Sequence, residues 1–153
     1  MLPRLDTLKA PFFLWVHLYD PHFPYVPPEP YASRYKNRPY DGEIAFMDAQ
    51  LGRVLEALKR KGTTLYIVVA GDHGESLGEH GEDGHGVFLY QATQHVPLIL
   101  TGPGVAPGTT CPSTVGLVDV APTILDLLKL PALAGADGRS LLPLLRGARP
   151  GSP

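Results

Sequence analysis

Between Asp41 and Lys61 the apolar positions Ile44, Met47, Leu51, Val54, Leu55 and Leu58 recur at steps of three and four, the spacing of one helical face. The pattern predicts a single helix with a buried stripe. Lys59, Arg60 and Lys61 place positive charge at its carboxyl end, and Gly62 stops it. On either side the period changes. Thr63 to Ala70, TTLYIVVA, is continuous and β-branched and predicts a strand. Pro11 to Leu18, PFFLWVHL, predicts another, buried on both faces as in a covered parallel sheet. Val96 to Leu100 predicts a third. From Asp119, in a capping position, a helix is expected to about Leu128, with Pro122 in its first turn and Ile124, Leu125, Leu127 and Leu128 on its apolar face. Gly138 to Arg146 reads as a leucine-rich turn. This order of strands and helices predicts an α/β sheet without internal repeats.

The intervening segments are loops. Tyr19 to Tyr40 carries five tyrosines among closely spaced prolines, which either line a substrate cleft or pack an extended loop onto its own domain. Gly71 to Gly86 holds six glycines and three histidines, too much backbone freedom for a regular element throughout.

A length of 153 residues allows one domain with a sizeable core. Thirteen Lys and Arg against fifteen Asp and Glu give a net charge of −2, which argues against nucleic acid or an anionic membrane as partner. The single cysteine, Cys111, excludes an internal disulfide framework and a multi-cysteine metal site. No apolar run is long enough for a membrane span, and the residues after Met1 lack the apolar stretch of a secretory signal; localisation stays open.

Ligands of open α/β sheets bind beyond the carboxyl ends of strands. Two predicted strands end in polar clusters: Gly71-Asp72-His73-Gly74-Glu75 and Asp20-Pro21-His22. A carboxylate beside an imidazole, flanked by glycines, suits a divalent metal, although Asp-His pairs are common in ordinary turns.

The runs GDHGESLGEHGEDGHGVFLY, VPLILTGPGVAPG, LVDVAPTILDLL and GRSLLPLLRG, together with the earlier PFFLWVHLYDPHFPY and the helix bearing Asp41-Gly42-Glu43 and Met47-Asp48, resemble the sulfatases of the alkaline phosphatase superfamily in the same order. The resemblance extends from about Pro11 to Gly147. It implies a partial α/β/α sandwich with a mostly parallel sheet, residues 1–147 forming the carboxy-terminal half of a sulfatase catalytic domain and 148–153 a flexible tail. It implies that Asp72 and His73 bind the active-site cation, calcium foremost with manganese or magnesium as alternatives. His85 falls where the family places a Lys or His against the substrate's anionic oxygens, and His22 where a histidine contacts the substrate group, a candidate acid for the leaving alcohol. The implied substrate is a small-molecule or glycan sulfate ester. Phosphonate monoester or phosphodiester hydrolysis and phosphoglycerol transfer are the enzymatic alternatives; a non-catalytic fragment is the rival from another class.

Other polar residues have simpler readings. His17 is expected in the core or at a strand end, His80 and His95 on solvated loops, and Glu79, Glu82 and Asp83 on a solvated face; Glu75 is placed to orient His73. The family's nucleophile, a formylglycine made from Cys-x-Pro-x-Arg, has no counterpart: Cys111 is followed by Pro112, Ser113, Thr114 and Val115. The family's amino-terminal Asp-Asp metal motif is likewise not among these residues. The chain therefore reads as needing a partner half, and as liable to associate with itself through an exposed sheet edge.

Overall fold

The computed structural model describes residues 5–146; the expected tail at 148–153 lies outside them. The chain divides into two compact units, residues 1–63 and 64–153.

The first unit is built on α2, Pro39–Arg60, which follows a single-turn helix α1, Tyr31–Arg34. Pro39 opens α2 at a position where its missing N–H costs nothing, and Gly62, at φ 64°, ends it in the left-handed region. Val54 and Leu58 of the predicted stripe are buried, with Leu5 of an amino-terminal 3-10 turn. Gly42 is required by packing, because a Cβ there would lie 2.8 Å from Cγ of Pro27.

The aromatic run Pro11 to Leu18 forms no strand. Phe13 and Trp15 are 77% and 76% exposed, and His17, expected in the core, is exposed too. The physical reason is pairing: an extended segment becomes a strand only when a neighbour takes its N–H and C=O groups, and no described strand does so here.

The second unit holds the sheet. β1, Ile67–Ala70, pairs with β4, Leu98–Thr101, in antiparallel register from Ile67 opposite Thr101 to Ala70 opposite Leu98. Within the excursion between them, β2, Ser76–Leu77, and β3, Asp83–Gly84, form a second antiparallel pair, followed by the short helix α3, Gln91–Gln94. The chain is α/β, but the expected mostly parallel pairing is corrected: both described pairs are antiparallel. Parallel neighbours need a crossover, usually a helix of some length, and the helical segments described within residues 71–97 are the single-turn α3 and a 3-10 turn at Glu79–Gly81.

α4, Val120–Leu127, and α5, Leu142–Leu145, complete the unit. A strap at residues 138–141 crosses the start of α4. Gly138 passes so close that a Cβ would overlap the carbonyl of Val118. Leu141 N–H donates to the hydroxyl of fully buried Thr123 at 2.9 Å, and that hydroxyl donates to Asp119 O at 2.6 Å. Asp119 does not cap α4 as expected. Its carboxylate accepts Gly116 N–H and Arg139 N–H, each at 2.9 Å, because the strap brings the second donor within reach.

Burial alone would raise the Asp119 carboxyl, but the Arg139 and Gly116 N–H groups, with the Arg139 charge, outweigh it and hold the group below the usual carboxylate range. A carboxyl depressed in the folded state stabilises fully above its unfolded value, about 4, and loses that contribution as pH falls through its folded value. Asp119→Asn is therefore expected to destabilise the chain most at neutral pH and progressively less below about pH 4. Urea unfolding of both proteins at each pH checks this; a pH-independent difference would assign the loss to packing.

Candidate active site

β1 delivers its chain directly into Gly71, Asp72 and His73. Gly71 N–H donates to Pro97 O at 3.2 Å, extending the β1–β4 ladder by one step and fixing where the excursion begins. Gly74 N–H donates to Thr93 O at 2.9 Å, and a Cβ on Gly74 would overlap the carbonyl of Ala92, so only glycine lets the chain pass against α3. Thr93 itself is buried, its hydroxyl bonded to Tyr90 O at 3.1 Å. These contacts hold the backbone on both sides of Asp72 and His73 while the two side chains face outward.

His73 Nδ1 lies 2.8 Å from Gly74 O, an acceptor only, so Nδ1 carries the proton and Nε2 presents its lone pair in the neutral ring. That Nε2 is 3.9 Å from Oδ1 of Asp72, which also accepts His73 N–H at 3.0 Å. An exposed carboxylate and an imidazole nitrogen with its tautomer fixed form a donor pair that suits a divalent cation. Among the described residues no three His, Cys, Asp or Glu groups gather as a cation cage. Asp72 also borders a cleft of about 320 Å³ shared with Thr93, Gln94, Val96, Val115 and Gly116.

His85 joins this cluster. Its ring lies over that of His73, centroids 3.8 Å apart at 31°, and its Nδ1 is 2.9 Å from Oε1 of Glu75. Glu75 thus bonds His85, and the expectation that it orients His73 is corrected; Gly74 O does that. The acidic run is no uniform solvated face either. Glu82 is buried with Oε1 accepting Phe88 N–H at 3.2 Å. Glu79 accepts Leu77 N–H at 2.6 Å, and the Leu77 bond with its own backbone N–H lowers its carboxyl below the usual range. His80 adopts φ 59° and stacks on Tyr90 at 4.1 Å, while His95 is exposed as expected. Cys111 is exposed, with its thiol lowered by hydrogen bonds from Ser113.

His22 belongs to the first unit. It is half-buried, stacked on Tyr19 at 4.3 Å, with Nδ1 2.7 Å from Phe23 O. The Tyr19–Val26 segment is held by Glu43 of α2, which is 4% exposed: Oε2 accepts His22 N–H at 2.9 Å and Oε1 accepts Val26 N–H at 2.7 Å. Glu43 has no role in the sequence reading. The available signal is its place one residue after a glycine on a helix whose exposed face would not need one.

The cluster of Asp72, His73 and His85 sits beyond the end of β1. The chain belongs to the Sulfatase family, whose model matches residues 1–130. It is 38% identical over 108 residues to arylsulfatase K of Danio rerio, covering 69% of this chain and 20% of that protein. Among solved structures, a phosphonate monoester hydrolase from Silicibacter pomeroyi superposes with a TM-score of 0.69 at 36% identity, covering 76% of this chain and 23% of that one. A protein solved with its substrate D-glucosamine-2-N,6-O-disulfate superposes at 0.61 with 30% identity, covering 76% and 24%. The chain thus spans about a fifth of the length of the curated relatives it matches. No helix among the described residues is long and apolar enough to cross a membrane.

Proposed function

We propose that residues 1–147 are part of a sulfatase catalytic domain, and that the complete enzyme hydrolyses sulfate esters of a small molecule or glycan. The observation that carries this is the grouping of Asp72, His73 and His85 at the end of β1. As a family sulfatases use a divalent cation and formylglycine; here Asp72 and His73 would hold the cation, with calcium preferred and manganese or magnesium as alternatives. When bound, the cation supplies Lewis-acid stabilisation of the transferring group's charge. The chain's own residues then have separate tasks. His85 reaches the substrate's anionic oxygens through Nε2, donating when its ring is protonated, with one face of the ring against His73. His22, with Nδ1–H committed to Phe23 O, would serve as the acid as an imidazolium, giving the Nε2 proton to the leaving oxygen and returning to the neutral Nδ1–H ring.

The nucleophile is supplied by residues outside the motifs of this chain, so the chain by itself is expected to be inert toward aryl sulfates. Co-expression with a polypeptide carrying the Asp-Asp and Cys-x-Pro-x-Arg motifs should produce aryl-sulfate turnover. Turnover by the purified chain alone, or none with any such partner, would overturn the reading, the latter in favour of a non-catalytic fragment. The open edges of β1 and β4 are where the partner half, or a second copy in its absence, would add strands. Phosphonate monoester hydrolysis is a second reading, favoured by the 36% identity to the Silicibacter pomeroyi enzyme. Phosphodiester hydrolysis and phosphoglycerol transfer have no comparable support. Parallel assays with aryl sulfate and phenyl phosphonate ester separate the two.

A further inference from the structure

We propose that Glu75 is a positioning residue, which fixes the ring of His85 so that Nε2 is the only ring nitrogen it offers to a ligand. The β2–β3 pairing sets Ser76 opposite Gly84, so the next residues outward, Glu75 and His85, face each other across the mouth of the hairpin. The Glu75 side chain is 6% exposed, against 35% for His85. A carboxylate withdrawn from water to that extent needs a donor, and His85 Nδ1 lies 2.9 Å from Oε1. A carboxylate only accepts, so Nδ1 must carry the proton. Gly84, at φ 91°, turns the chain here, and a Cβ on it would lie 3.8 Å from Oε1 of Glu75.

The second constraint is the His73 ring, 3.8 Å away between centroids. Glu75 holds one edge of the imidazole and His73 covers one face. Rotation of the ring by half a turn would place carbon where Glu75 needs a donor, so the alternative orientation is lost. This inference rests on the proposed role of His85 and adds the element that aims it: a histidine whose Nδ1–H is committed can donate to an anionic oxygen only through Nε2, which carries a proton once the ring is protonated.

Proton-detected nitrogen NMR of the histidine rings in the full chain, recorded with the rings neutral, tests it. Wild-type His85 should be the Nδ1–H tautomer. Glu75→Gln, which keeps an oxygen acceptor, should retain that tautomer, and Glu75→Leu should convert His85 to Nε2–H. A purely structural Glu75 would lower the melting temperature in Glu75→Leu without moving the tautomer. An Nε2–H tautomer in the wild type overturns the proposal even if Glu75→Leu does not fold, and so does an unchanged tautomer in folded Glu75→Leu. Titration with inorganic sulfate, at a pH low enough to protonate the His85 ring, forms a separate arm. Perturbation of His85 Nε2 ahead of Nδ1 supports its role toward the anion, whereas no perturbation overturns that role and leaves the tautomer arm to decide Glu75.

Discussion

In the chain assembled with the half that carries the Asp-Asp motif, titration of calcium into Asp72→Ala is expected to show no binding, while His73→Asn stays within about tenfold of the wild-type affinity. The asymmetry follows from charge and hardness. As the proposed ligands, Asp72 would contribute an anionic oxygen to a hard cation, whereas His73 would contribute a neutral nitrogen that an amide oxygen can replace. Even outer-shell partners of metal ligands are worth 10- to 100-fold in affinity, so loss of a charged ligand should exceed about a hundredfold. The Asp72 side chain is 78% exposed and its removal should leave the unfolding midpoint nearly unchanged. That separates loss of a ligand from loss of the fold. Equal calcium affinity in the two variants would remove Asp72 from the ligand set.

The second large effect belongs to Glu43. Glu43→Ala leaves the N–H groups of His22 and Val26 without their acceptor in a partly buried setting, a cost of about 1–3 kcal/mol for each. Glu43→Gln keeps one acceptor but turns an amide NH₂ toward the other N–H, donor against donor, and should lose about half as much. Glu43→Asp is too short by a methylene to reach both. Urea unfolding should rank the variants wild type, Gln, Ala, and limited proteolysis should open first between Tyr19 and Val26. If Gln equals the wild type, the carboxylate's two hydrogen bonds are not what holds that segment.

The elements easiest to read in the sequence are those stabilised by their own neighbours. The stripe from Ile44 to Leu58 predicts α2 because burial at every third or fourth residue is a property of the helix itself, and Gly62 marks its end. The strand at Leu98 to Thr101 lies within two residues of its expected position. Strand direction was harder, although residues 71–97 offered the clue: they hold no helix long enough for a parallel crossover. The run from Pro11 to Leu18 has the composition of a buried strand, but composition cannot provide a neighbour. At the site, Asp72 and His73 are adjacent in sequence and could be singled out. The pairing of Glu75 with His85 depends on the β2–β3 register, and Glu43 is hidden because a glutamate near a helix start has an ordinary explanation in the helix dipole.

The β1–β4 ladder has a consequence for how such a site can change over generations. Both feet of the excursion stand on bonded positions, Ala70 opposite Leu98 and Gly71 N–H on Pro97 O. Because the closing entropy of a loop rises only with the logarithm of its length, residues inserted near the hairpin turn at Gly81 should cost little and leave the sheet register untouched. Asp72 and His73 at one foot would stay where they are, while the far part of the excursion varies in sequence and size. The fold thus separates the strand-anchored Asp72–His73 pair, the proposed cation ligands, from a stretch that is free to change in length and sequence.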